Sequence, residues 1–164
     1  MKTIIEKTKF GKITYLVQNG VYLIKTSQQL FDIFPIRIPL TVRASHNPKD
    51  PLTVWAIFDT GADSTCVAHA LAKKLELIPR GSIRERGASG AFQNRVWKGL
   101  TISLPMNTDH NYPLDFCPEV GFDWNPNINS LTYGNDAMLL GRDMTSLFNF
   151  RWSPGDGEFL VSAK

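Results

Sequence analysis

Runs and alternations of apolar residues cut this chain into short strand-like segments. "KITYLVQNGVYLIKT", residues 12–26, is two apolar runs joined by Asn19-Gly20. That dipeptide accepts the positive φ of a tight turn, so the stretch predicts a β-hairpin. "FPIRIPLTVRA" predicts another strand, with Pro35 and Pro39 pointing to an edge or an irregular start. "SHNPKDP" predicts a loop. Val54 to Phe58 is a continuous apolar run of the kind a buried strand carries, and it ends abruptly on Asp59. "CVAHALAKKLEL" then sets Val67, Leu71 and Leu75, with Ala70 beside them, at helical intervals, and Pro79 is expected to stop that helix. "SIRERGASGAFQNRVWKGLTISL" predicts two β-leaning arms around a small-residue tip, Gly87-Ala88-Ser89-Gly90-Ala91. Residues 105–136 have no clear period; Pro, Asn and Asp recur there among Phe116, Phe122 and Trp124. A stretch of that length is either a functional loop or hides elements the pattern does not reveal. Finally Ala137–Leu140 runs into Gly141, followed by a brief helix or turn. A last hairpin, "FNFRW" and "EFLVSA", closes around Ser153-Pro154-Gly155-Asp156-Gly157.

The pattern is all-β, with one or two short helices and an N-terminal β-hairpin extension. At 164 residues one domain is expected, divided into an extension at 1–45 and a core at 46–164 with a long insertion at about 105–136. Ordinary composition, 43% hydrophobic and 20% charged, excludes a disordered or fibrous chain. A net charge of +3 without a basic cluster gives only weak support for nucleic-acid binding, and no nucleic-acid partner is expected. Glu6 and Lys7 break the only apolar N-terminal run, and no segment approaches the length of a membrane span, so a soluble, cytoplasmic protein is expected. Two cysteines, Cys66 and Cys117, make no disulfide framework. His46, His69 and His110 lack ligand spacing, so no metal site is expected. Cys66 has no His or Asn placed to activate it and reads as a small buried hydrophobe. Trp55, Trp97, Trp124 and Trp152 read as core or interface anchors.

The candidate chemistry is at Asp59. A carboxylate at the end of a buried strand is costly unless it is paired or used. Two readings follow: a turn or cap formed by the Asp side chain, or a carboxylate held for catalysis. The stretch Ile57-Phe58-Asp59-Thr60-Gly61-Ala62-Asp63, the glycine-bounded tip, and Leu139-Leu140-Gly141-Arg142-Asp143 occur here in an order that resembles the retropepsin-like aspartic proteases, single-domain relatives of retroviral protease. The resemblance covers roughly residues 52–152. It implies a closed acid-protease barrel, no metal or organic cofactor, and an extended peptide or protein substrate. It assigns Asp59, Thr60 and Gly61 to catalysis, with Thr60 bonding across a dimer axis and Gly61 admitting close backbone approach. Ala62, Asp63, Gly87, Ala88, Ser89, Gly90 and Arg142 are assigned to substrate binding, the tip serving as a closing flap and Arg142 holding Asp63. Hydrolysis by carboxylates needs two of them, and the chain carries one Asp-Thr-Gly, so the reading requires a homodimer with Asp59 facing its own copy. Asp143 falls outside that dyad and serves as a matched control for Asp59. The alternative from another class is a non-catalytic retropepsin-like module that dimerises or holds a peptide without cutting it.

Overall fold

The computed structural model describes residues 2–8, 11–18, 21–26, 35–87, 90–104, 107–132 and 134–164. In chain order its strands begin with β1 (Lys2–Thr8), β2 (Gly11–Gln18), β3 (Val21–Lys25), β4 (Arg37–Ala44), β5 (Asn47–Phe58) and β6 (Cys66–Ala68), followed by helix α1 (His69–Lys74). Then come β7 (Ile78–Gly87), β8 (Gly90–Lys98), β9 (Leu100–Leu104), β10 (Asn107–Leu114), β11 (Cys117–Val120) and β12 (Asp136–Leu140). Helix α2 (Arg142–Thr145), β13 (Phe148–Ser153) and β14 (Glu158–Ala163) complete the chain.

Two sheets result. The smaller runs β1-β2-β3-β14-β13, so the two ends of the chain share it. The larger runs β10-β9-β4-β5-β12-β6-β11-β8-β7. Tyr15 and Trp55 pack with ring centroids 4.8 Å apart, and Phe58 and Phe159 edge-on at 5.1 Å. These contacts join the sheets into one apolar core, in which Trp55, Tyr22 and Val161 are fully buried. At β5 the core strand is flanked by antiparallel β4 and parallel β12. A forked ion pair ties those two neighbours together: Arg37 Nε donates to Asp136 Oδ1 at 2.5 Å and Nη2 to Oδ2 at 3.2 Å. A buried guanidinium is tolerated only with such a partner.

The mostly-β architecture and the two short helices agree with the sequence, but several local expectations do not. The described pairings form two open sheets, not the closed barrel that the resemblance implies. The helix is shorter than its periodicity suggests. Cys66–Ala68 is strand, since Val67 pairs with Met138 on one side and Glu119 on the other. The helix ends at Lys74 and is capped by Leu75, before Glu76 at φ 55°, while Pro79 lies inside β7. The "SHNPKDP" loop reduces to a turn at Ser45-His46, because β5 already begins at Asn47. Residues 105–136 are not one loop: β10 and β11 lie within them. Strands β2 and β3 pair as expected, although their Asn19-Gly20 turn lies outside the described residues. Cys66 and Cys117 are both free thiols.

Candidate active site

The turn from Asp59 to Asp63 is held by β12 and the segment after it. Phe58 is the last residue of β5, and the Asp59 amide donates to the Leu140 carbonyl at 3.0 Å, extending the β5–β12 pairing by one step. The Gly61 amide donates to Asp59 Oδ1 at 2.8 Å. That i to i+2 bond is an Asx turn, so the local reading of Asp59 is realised. It coexists with a catalytic one, since Oδ2 has no partner among the described residues. A Cβ on Gly61 would sit 3.1 Å from Asp59 Oδ1, which explains why the turn takes glycine.

From the other side, Arg142 N donates to the Ala62 carbonyl at 2.8 Å, and Arg142 Nη2 pairs with Asp63 Oδ1. Both side chains of that pair are largely exposed, so it orients the turn more than it stabilises the fold. The structure therefore brings together Asp59, Thr60, Gly61, Ala62, Asp63 and Arg142. Gly87 and Gly90 pair across the end of the β7–β8 hairpin, and Gly90 has φ 115°, a conformation glycine accepts readily. Ala88 and Ser89 lie outside the described residues. Among the described residues, no hydrogen bond or ion pair joins Gly87 or Gly90 to the Asp59 turn.

Sequence reasoning missed the clamp beneath the turn. Thr65 is fully buried; its amide reaches Asp143 Oδ1 at 2.9 Å and Oδ2 at 3.1 Å, and its hydroxyl donates to Oδ1 at 2.7 Å. The same hydroxyl accepts from Gly141 N at 3.1 Å. Gly141 has no room for a side chain: a Cβ there would lie 2.4 Å from the Ser64 carbonyl carbon and 2.8 Å from Ser64 N. So the glycine of "LLGRD" is required by backbone contact with the Asp-Thr-Gly loop. Asp143, taken from the sequence as a neutral control, is a positioning residue for that loop. Behind the clamp, the Cys117 thiol donates to Thr65 O at 3.5 Å; burial pushes its pKa well up, with Cys66 and Asp143 adding to the effect.

Beside the turn an open cleft of about 410 Å³ has Asp59 and Thr60 on its wall, with Ile36, Phe58, Phe150 and Trp152 among the apolar residues completing it. Asp59 is half-buried and Thr60 exposed. The site thus offers one carboxylate at the rim of an apolar cleft, in a loop pinned by hydrogen bonds to α2 and its preceding glycine.

Residues 42–144 match the aspartyl protease family, and the chain, more than half of it covered by that match, belongs to this family. It is also similar to a retropepsin-like aspartic protease from Rickettsia conorii known from its crystal structure. That alignment covers 100% of this chain and 98% of the other at 12% identity, with a TM-score of 0.49. A comparison with curated proteins gives no match. No helix among the described residues is long and apolar enough to cross a membrane.

Proposed function

We propose that the protein is an aspartic endopeptidase, active as a homodimer in which Asp59 of each copy forms a catalytic pair. The observation that carries this reading is the half-site. A member of the aspartyl protease family presents one Asp-Thr-Gly turn, its carboxylate at the rim of an open cleft, and the chain holds no second copy of the tripeptide.

Two carboxylates at hydrogen-bond distance cannot both ionise, so the pair shares one proton. The ionised member takes a proton from a water between them, and the water oxygen attacks the peptide carbonyl carbon. The protonated member gives its proton to the carbonyl oxygen. In collapse the carboxyl that took the water proton gives it to the amide nitrogen, the other carboxylate takes a proton from a hydroxyl of the tetrahedral species, the C–N bond breaks, and the shared-proton pair is restored. In this scheme Thr60 braces the two turns against each other. Gly61 and Ala62 leave room for an extended peptide, and Asp63, held by Arg142, contacts its backbone. Residues Gly87, Ala88, Ser89 and Gly90 form the tip that closes over it.

The test is Asp59→Asn, which keeps the shape of the side chain and removes its ionisation. Peptide cleavage should fall by at least about three orders of magnitude, as expected when a positioned acid–base group is lost from both halves. Cleavage within about tenfold of wild type, on folded protein, would remove Asp59 from the mechanism, whereas folded wild type that cuts no peptide would favour the non-catalytic alternative.

A further inference from the structure

We infer that the exposed face of the β7–β8 hairpin docks an acidic, extended segment of the protein substrate. That the partner is a substrate rests on the protease reading; the surface itself rests on separate observations. Residues 78–98 carry five basic side chains, Arg80, Arg84, Arg86, Arg95 and Lys98, against one acidic, Glu85. The hairpin is therefore +4, more than the +3 of the whole chain, and the remainder of the chain is slightly acidic.

The register gathers three of these charges. Opposed residues of an antiparallel pair share a face, and so do alternate residues along a strand. Ser82 opposes Arg95 and Arg84 opposes Gln93, with Arg86 two residues beyond Arg84. Gln93 Nε2 donates to Ser82 Oγ at 2.6 Å, as side chains on one face can. Arg84, Arg86 and Arg95 are exposed, whereas Ile83 and Asn94, opposed on the other face, are half-buried. Among the described residues, none of the three arginines has a carboxylate at salt-bridge distance. Glu119, which feels the Arg95 charge, is already bonded to His69 and Trp97. Arg95 lies over the Trp97 ring, 5.8 Å from its centroid, and Lys73 of α1 lies over the same ring at 5.8 Å. The cationic stripe thus continues from the hairpin onto the helix. Like charges at neighbouring positions of a ladder repel, a cost that an anionic partner offsets.

Spacing selects the partner. Strand geometry sets alternate residues such as Arg84 and Arg86 roughly 6.5 Å apart. An extended peptide with an acidic residue at every second position has the same repeat, and each guanidinium can take a carboxylate through a forked pair. A single-stranded nucleic acid fits less well, because such surfaces stack bases on exposed aromatic rings. Among the described side chains, the aromatic of this stripe is Trp97, and it is 2% exposed. A protein held in the cleft beside Asp59 supplies an acidic segment from the parts of its chain outside that cleft.

The experiment is fluorescence anisotropy with a labelled alternating Glu-Ser peptide, its Gln-Ser counterpart and an oligothymidine. The proteins are wild type, an Arg84→Gln, Arg86→Gln double variant and a control of equal net charge, Lys7→Gln, Lys12→Gln, which removes two exposed lysines of the small sheet. The hairpin variant spares Arg95 and its contact with Trp97, and circular dichroism checks that each protein is folded. Wild type should bind the Glu-Ser peptide, more weakly as salt rises. The hairpin variant should bind it at least about fivefold more weakly, as expected for losing two exposed charge pairs, while the control matches wild type. Equal binding of the Gln-Ser peptide, or an equal loss in the control, would overturn the surface. Oligothymidine bound more tightly than Glu-Ser, and released by the hairpin substitutions, would overturn the acidic partner in favour of a nucleic acid. In steady-state kinetics, a Glu-Ser extension on a peptide that wild type cuts should lower KM with kcat unchanged, and should not do so in the hairpin variant. If Glu-Ser binds as expected but wild type cuts no peptide, the surface stands and the protease reading falls. If wild type cuts but neither the extension nor the substitutions alter binding or KM, the surface falls and the protease reading stands.

Discussion

Single residues decide whether the Asp59 turn is held in one geometry, and Asp143 is the most informative of them. Its carboxylate accepts from both the amide and the hydroxyl of buried Thr65, which in turn fixes Gly141 N. Asp143→Asn replaces one acceptor oxygen with an NH2 group facing donors. It should lower stability by about 1–3 kcal/mol, the cost of leaving a buried donor without its acceptor. It should also slow peptide cleavage by loosening the turn. A urea midpoint and a cleavage rate both equal to wild type would show that the clamp does not matter. Asp123, exposed in the loop after β11, is the better neutral control. What the sequence carried at this scale was whatever is local: an apolar run into Asp59, a glycine for the turn, a glycine before Arg142. The Thr65–Asp143 bond spans 78 residues. Nothing near either residue records which polar side chain it will face, because that depends on how β6 and β12 come to lie side by side.

Elements were legible where their periodicity was clean and both faces agreed, as in the β2–β3 and β13–β14 hairpins. They were obscured where pairing overrode local composition. Pro113 lies in β10, a sheet edge that spares an N–H, and Pro118 in β11, which pairs with β8 at one end and β6 at the other. Val67 looked helical because Leu71 and Leu75 follow it at helical spacing, yet it fills a gap between two strands. Strand β11 also bears a pH-sensitive joint. Glu119 accepts from Trp97 Nε1 on β8 at 2.9 Å and lies 2.7 Å from His69 Nδ1 on α1. Burial works to raise its pKa, but hydrogen bonds from His69 and Trp97, with the charges of His69 and Arg95, outweigh it and hold the carboxyl below its ordinary 4.5. A lowered folded-state pKa stabilises the protein above the unfolded value, and that contribution is lost as pH falls through the folded value. Wild type should therefore lose stability more steeply than Glu119→Gln as pH drops below 4.5, read from urea midpoints across that range. Parallel curves would remove Glu119 from the acid response. The β7–β8 hairpin gives a kinetic prediction. At Gly90, φ is 115° and a Cβ would meet nothing within 4 Å, so Gly90→Val costs backbone strain without a clash. If this tip closes over substrate, the variant should lower turnover several-fold on protein that remains folded, beyond a stability loss of about 1–3 kcal/mol from the strain itself. Unchanged turnover would show that the tip is not the moving part.

At the scale of the whole molecule, the question is whether one chain or two make a site, and mixing chains answers it without knowledge of the natural substrate. Asp59→Asn changes one side chain without changing its shape, so its subunits should exchange freely with wild type. When equal amounts are mixed and allowed to re-equilibrate, random pairing puts about half of all wild-type chains opposite an Asp59→Asn partner. Those mixed dimers have one carboxylate and one amide. The amide can neither hold the shared proton nor accept one from water, so they should be inactive. Activity per wild-type chain should therefore fall to about half at equal mixing and track the wild-type fraction as mutant is added in excess. A site built within one chain would give constant activity per wild-type chain at every ratio. Constant activity across all ratios, with subunit exchange verified by differently tagged chains, would refute the shared dyad and leave the single Asp-Thr-Gly without its proposed partner.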